Sequence, residues 1–172
     1  SAQYVPYAAV GGFLAIRRPR NVIGWLLIGI GVAFLGTTAP PGLDIKGLEA
    51  GTAAMRDVVY AWFAVWAGGA SFLLYAALAM TFPSGRLPAG RWRGRAIVAL
   101  AVGTVVILMP AFLPTLYFSP DGITDVAVPN PIGVLPSPSE DIRPLLQIVV
   151  VAVPMAIFLG AVVSLLVRYR RV

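Results

Sequence analysis

Alternate loops of this chain carry opposite charge, and that pattern constrains its fold more than any other feature. Five apolar stretches, near 4–16, 23–39, 58–82, 96–118 and 145–167, are separated by four loops and followed by a short tail. The turns after the first and third stretches, with the tail, hold ten of the thirteen Lys and Arg residues and no acid. The other two loops hold all seven acids (Asp44, Glu49, Asp57, Asp121, Asp125, Glu140, Asp141) and only Lys46, Arg56 and Arg143. A soluble chain has no reason to sort its charges this way, whereas a chain threaded through a membrane does, with its basic loops on the cytoplasmic side. The N-terminus is then expected outside and the C-terminus inside.

Composition agrees. A soluble domain carries about 25% charged residues, while this chain carries 12% and is 59% hydrophobic. So much apolar surface is expected to face lipid or other spans. The stretch 58–82 has 25 residues, which at 1.5 Å per residue gives about 37 Å, enough to cross hydrocarbon with some tilt. Stretch 96–118 contains Pro110 and Pro114, so its outer third should kink or unwind. Stretch 23–39 is near the lower limit for spanning. The first, Tyr4 to Ile16, is too short to span alone, and the chain begins at Ser1 without a methionine. It reads as the cytoplasmic end of a truncated helix in a processed or excised piece, not as a signal peptide, because a basic leader is missing. The expected fold is all-α: one polytopic transmembrane helix bundle over 1–172, of about five spans with the first truncated.

Arg86, Arg91, Arg93 and Arg95 fall within ten residues. Nucleic-acid binding would need a basic surface free of lipid, so anionic headgroups at the inner face are the expected partner and nucleic acid is not. Chemistry is sparse elsewhere. With no Cys and no His, disulfides, thiolate chemistry and histidine acid–base catalysis are excluded within these residues. The apolar cores contain no charged side chain, which argues against a pump or proton-coupled transporter. Asp121 and Asp125 in "DGITD" match only part of a calcium loop, so no metal and no cofactor is expected. Ser137, Pro138 and Glu140 have the spacing of a capping box leading toward the last span, with Pro144 bending that lead-in. The outer segment from Ser119 to Asp141 holds five prolines, which should keep it semi-rigid without regular pairing and make it the expected place for a stimulus to act.

Small residues offer helix-packing candidates. The last stretch has Ala152, Ala156, Gly160 and Ser164 at four-residue spacing; Gly29, Ala33 and Thr37 repeat it, and Ala64 with Gly68 and Gly69 offers a third row. Packing inside one bundle is one reading of the last row, and a dimer face is the other. Tyr60, Trp62, Phe63 and Trp66 cluster at the outer end of the third stretch, as an aromatic belt or as the lining of a pocket.

Three short motifs occur in order: "RRPRNVIGWLL" (17–27), "FPSGRLPAGRW" (82–92) and "PNPIG" (129–133). Physically, Asn21 can cap the second helix and Trp25 can anchor it one turn in. Pro83 ends the third helix, Gly85 permits the reversal after it, and Leu87-Pro88 with Trp92 lays the loop along the headgroups. The ordered set resembles the N-terminal multi-span membrane domain of actinobacterial-type two-component sensor histidine kinases. In that family a basic Arg-Pro turn leads into Asn-Pro-Ile-Gly-Trp; here Val22 stands where proline is usual. The resemblance implies a bacterial, multi-pass sensory or anchoring domain without catalytic activity of its own, dimeric in the full-length protein. It would pass a bundle rearrangement through the last helix to a kinase that these residues do not include. The inner-face turn candidates are Arg17, Arg18, Pro19, Asn21, Gly24, Trp25, Pro83, Gly85, Arg86, Pro88 and Trp92. Two other readings of the residues remain open: a small membrane subunit scaffolding a larger complex, and a transporter fragment.

Overall fold

A computed structural model describes residues 4–119 and 125–170. Six α-helices account for most of it: α1 (Tyr4–Arg17), α2 (Val22–Gly36), α3 (Ile45–Ala50), α4 (Met55–Thr81), α5 (Arg91–Leu108) and α6 (Arg143–Tyr169). Three stretches, Met55–Thr81, Arg91–Phe112 and Arg143–Val167, are long and apolar enough to cross a membrane. Helices α1 and α2 have 14 and 15 residues, and α2 is about 22 Å long at 1.5 Å per residue. The expected second span, 23–39, is therefore shorter than its sequence suggested. Thr37 takes a non-helical cap conformation and its hydroxyl turns back to the Phe34 carbonyl.

The all-α expectation needs a correction. Helix α5 begins earlier than expected, at Arg91, and gives way to a 3-10 turn, Met109–Phe112, around Pro110. Beyond it the chain extends into β1 (Thr115–Phe118), which pairs antiparallel with β2 (Val126–Pro129), Leu116 opposite Val128. The outer segment therefore does contain regular pairing. The prolines stop the helix, and the β-branched and aromatic residues that follow alternate with period two. Leu116, Phe118, Val126 and Val128 are buried on one face against Leu48 of α3 and Ala61 of α4. Asp44 caps α3, accepting from the Gly47 amide at 2.9 Å, so the preceding loop supplies a lid for this small core.

The capping box at Ser137 is not formed either. The Ser139 carbonyl accepts from the Ile142 and Arg143 amides, and α6 starts at Arg143. This start places Pro144 in the first turn, where no intrahelical N–H is needed. A helix beginning at Pro138 would have put Pro144 in its interior.

Helix α4 is the hub, touching α2, α5, α6, β1 and the 3-10 turn. Backbones approach where glycines permit. A Cβ on Gly24 would lie 2.8 Å from the Ala15 amide nitrogen and 3.1 Å from the Gly11 carbonyl, and one on Gly11 would lie 2.7 Å from the Ile28 nitrogen. Gly36 meets α4 the same way, against Ala67 and Phe63. In the centre, Tyr75 donates to the Tyr7 hydroxyl at 2.7 Å, and both rings pack on Phe34, joining α1, α2 and α4. Phe158 adds α6 to the same cluster through Tyr75.

Filling the α2–α4 contact should therefore be costly. Gly36→Val forces the helices apart and is expected to destabilise the protein by about 1–3 kcal/mol. Gly12→Val, at a position whose Cβ would meet nothing within 4 Å, should change little. Thermal unfolding of both variants in detergent checks the difference.

Candidate functional site

The functional candidates gather at the two ends of the bundle. At the basic end, Asn21 caps α2, its side-chain oxygen accepting from the Ile23 amide at 3.0 Å. The Trp25 indole donates to the Pro19 carbonyl at 3.0 Å, closing the α1–α2 turn over its own first residues. Helix α4 ends at Thr81, before Pro83, and the Gly85 amide donates to the Thr81 carbonyl. Gly85 has φ +71°, and a Cβ there would lie 2.6 Å from Asn21 Oδ1. The two motif turns, which start 65 residues apart in sequence at Arg17 and Phe82, thus share a wall at Asn21 and Gly85. Only glycine combines that backbone conformation with that proximity.

Arg17, Arg18, Arg86, Arg91, Arg93 and Arg95 are exposed around this junction. Arg17 lies over the Phe13 ring at 5.2 Å, and Arg95 over Trp92 at 4.9 Å. Among the described residues the one ion pair is Arg56–Asp57 at the opposite end of α4, so no carboxylate neutralises these arginines. Gly24 belongs to helix packing against α1, not to the turn itself. Pro88 and Trp92 reach the other way, into a groove beside α6.

At the hairpin end, Asn130 of "PNPIG" closes the unwound end of α5. Its side-chain amide donates to the Ala111 carbonyl at 2.9 Å and the Leu113 carbonyl at 2.7 Å, and its backbone amide donates to Pro114. The Trp62 indole donates to the same Ala111 carbonyl at 2.9 Å. Gly133 fits beneath, where a Cβ would lie 2.6 Å from the Leu113 oxygen. Trp62 meets Trp66 edge-on, with ring centroids 5.7 Å apart, but its hydrogen bond makes it a structural pin and not merely a belt residue.

A cleft of about 330 Å³ separates the hairpin from the start of α6. Across it, Arg143 donates from Nη1 to the Tyr117 hydroxyl at 3.2 Å, with its guanidinium 4.8 Å above that ring. Gln147 donates to Asp125 at 3.4 Å, and Ser119 donates to the other Asp125 oxygen. Strand β1 and the residue just before β2 are thus tied to the first two turns of α6. Asp121 lies outside the described residues, and Asp125 is engaged in these bonds. Sequence reasoning identified the segment but missed Asn130 and Arg143 as its working residues. An Asn between two prolines, ahead of a glycine, was the available signal.

The small-residue row on α6 faces outward. Ala152, Ala156 and Gly160 are exposed and Ser164 is half-buried, while Pro154 and Ala161 take the bundle side. Ala161 packs with Ala76 and Ala79 of α4. The row therefore does not pack inside this chain. In the second stretch, the buried small residues are Gly24, Gly31, Ala33 and Gly36, with Gly29 half-buried against Leu74. In the third, Gly69 meets Ile107 while Gly68 meets nothing within 4 Å.

Comparison with known protein families, with curated proteins and with solved structures finds no match.

Replacing Asn130 by alanine removes both bonds that its side-chain amide donates and the one that its oxygen accepts from the Ile132 amide at 3.3 Å. The Leu113 carbonyl loses that donor, and Ala111 keeps only Trp62. The hairpin is expected to lose about 1–3 kcal/mol of local stability. Amide hydrogen exchange should accelerate at Leu116 and Val128 while the middle of α4 stays protected.

Proposed function

We propose that this chain is the membrane-embedded sensory and anchoring domain of a two-component sensor histidine kinase. The observation that carries this reading is the direct tie between the hairpin and α6 through Arg143–Tyr117 and Gln147–Asp125. A stimulus that moves the hairpin must move the start of α6, and α6 is a continuous 27-residue helix that ends at the basic face. The motif turns support the same reading, since Asn21 and Gly85 join into one platform at that face. In the proposed arrangement the three long helices cross the membrane, α1 and α2 enter it as a short glycine-packed pair, and the basic turns lie in the cytoplasm. The outward face of α6 at Ala152 and Ala156 meets its counterpart in a homodimer, and signalling is a shift between two packings of that pair.

Orientation has its own test. The chain lacks cysteine, so single cysteines at Ser84 and Ser137 report cleanly. Ser137→Cys should label with an impermeant reagent on whole cells and Ser84→Cys should not; the reverse result overturns the orientation.

Output is tested in the full-length protein in native membranes. Ala156→Cys should crosslink between chains under oxidation, and Ala161→Cys, which faces α4, should not. Locking Ala156→Cys should change autophosphorylation by about fivefold or more. Unchanged phosphorylation in the crosslinked species, or no kinase activity at all in the full-length protein, would sink the proposal.

A further inference from the structure

Between α5 and α6, at the basic end, lies a groove of about 590 Å³. Its floor is apolar and built from small side chains, including Ala96, Ala99, Gly160 and Ala161. A Cβ added to Gly160 would meet nothing within 4 Å, so a larger side chain there has room to extend into the groove. Trp92 and Arg95 stand at its rim, with the guanidinium held 4.9 Å over the indole. Arg91 and Arg93 belong to the same first turn of α5.

We propose that this groove holds one acyl chain of an anionic glycerophospholipid whose phosphate sits at Arg95. The inference rests on the membrane reading above for the surroundings of α5 and α6, though not on their orientation or on a kinase. An apolar track opening sideways among membrane-crossing helices is filled by hydrocarbon, because no water is available there to fill it. The rim then selects the headgroup. Arg95 has no carboxylate partner among the described residues, and a stacked guanidinium offers paired donors suited to a phosphate. A second copy of this chain is a poor occupant. Seated in this groove, and not at the Ala152–Ala156 seam, it would bring its own arginines directly against Arg95, and the loops at this end of the chain contain no acid to meet them. The small-residue row supports the division of roles. Residues four apart drift by about 40° per step around a helix, so Gly160 and Ser164 turn toward α5 while Ala152 and Ala156 remain on the free face.

The test uses the intact protein in nanodiscs of equal phosphatidylglycerol and phosphatidylcholine. Such discs are symmetric, so the result is independent of orientation. Native mass spectrometry then identifies the lipids retained on the protein. Wild type should retain phosphatidylglycerol over phosphatidylcholine by about fivefold or more. Arg95→Gln should bring that ratio near one while still retaining lipid. Gly160→Leu should reduce retention of both lipids, because the new side chain occupies the track. Arg20→Gln, an exposed arginine in the other basic turn, should keep the wild-type ratio. Equal retention by wild type, or an unchanged ratio in Arg95→Gln, overturns the proposal. So does interchain disulfide formation by Gly160→Cys that is more efficient than that by Ala156→Cys, which would place a second copy in the groove and not at the Ala152–Ala156 seam. A lipid preference alongside reversed cysteine labelling would leave the groove standing and remove only the orientation.

Discussion

The Ala111 carbonyl accepts from two side chains, the Trp62 indole and the Asn130 amide, and the hairpin end of the molecule depends on that atom. Pro110 and Pro114 end α5 early, which frees backbone carbonyls around the buried Ala111. Each freed group must find a donor within the chain or cost several kcal/mol. Trp62 supplies one from α4 and Asn130 supplies two from beyond β2. In meeting that requirement they fix where the chain turns, which residues face Leu48 and Ala61, and how far β2 lies from α6. The tie between Arg143 and Tyr117 is available only because the strands are already held there.

The packing of α1, α2 and α4 is organised by proximity of backbones. Gly11, Gly24 and Gly36 let α1, α2 and α4 approach more closely than side chains would allow, which is how helices gain contact where hydrophobic burial offers little. The Tyr7–Tyr75 bond and the rings around it place one satisfied polar pair in the middle of the stack. It sets the register of α1 against α4, because sliding either helix would leave both hydroxyls without that partner.

Much of this was legible in the residues. Helices α4 and α6 lie within a few positions of their apolar stretches, because length and hydropathy leave few choices, whereas α5 starts five residues before the expected 96–118 and ends ten short of it. Asn21 as a cap and the Pro83–Gly85 stop could be read from local chemistry alone, and both are local features. The hairpin could not. Thr115 to Phe118 continues an apolar run, and a four-residue strand has too few periods to separate it from a helix. What decides it is the donor at Asn130, twelve or more residues away. The α6 row fails for a different reason. Periodicity tells which residues share a face, but not what covers that face, and Pro154 and Ala161 won the bundle side. The junction of Asn21 with Gly85 required the tertiary fold, since neither turn carries any mark of the other.

The hairpin follows α5 and precedes α6, so it acts as a yoke on two neighbouring rods. Joined stiffly at one end, such rods cannot slide independently; they can only splay. Helix α5, with 18 residues, is about 27 Å long, so a change of about 5° in the angle between the two moves its far end away from α6 by about 2 Å. The far ends are where Trp92 and Arg95 face Gly160 and Ser164. Leverage of that kind converts a displacement too small to break any hydrogen bond in the hairpin into a change in the width of the groove at the other end of the bundle.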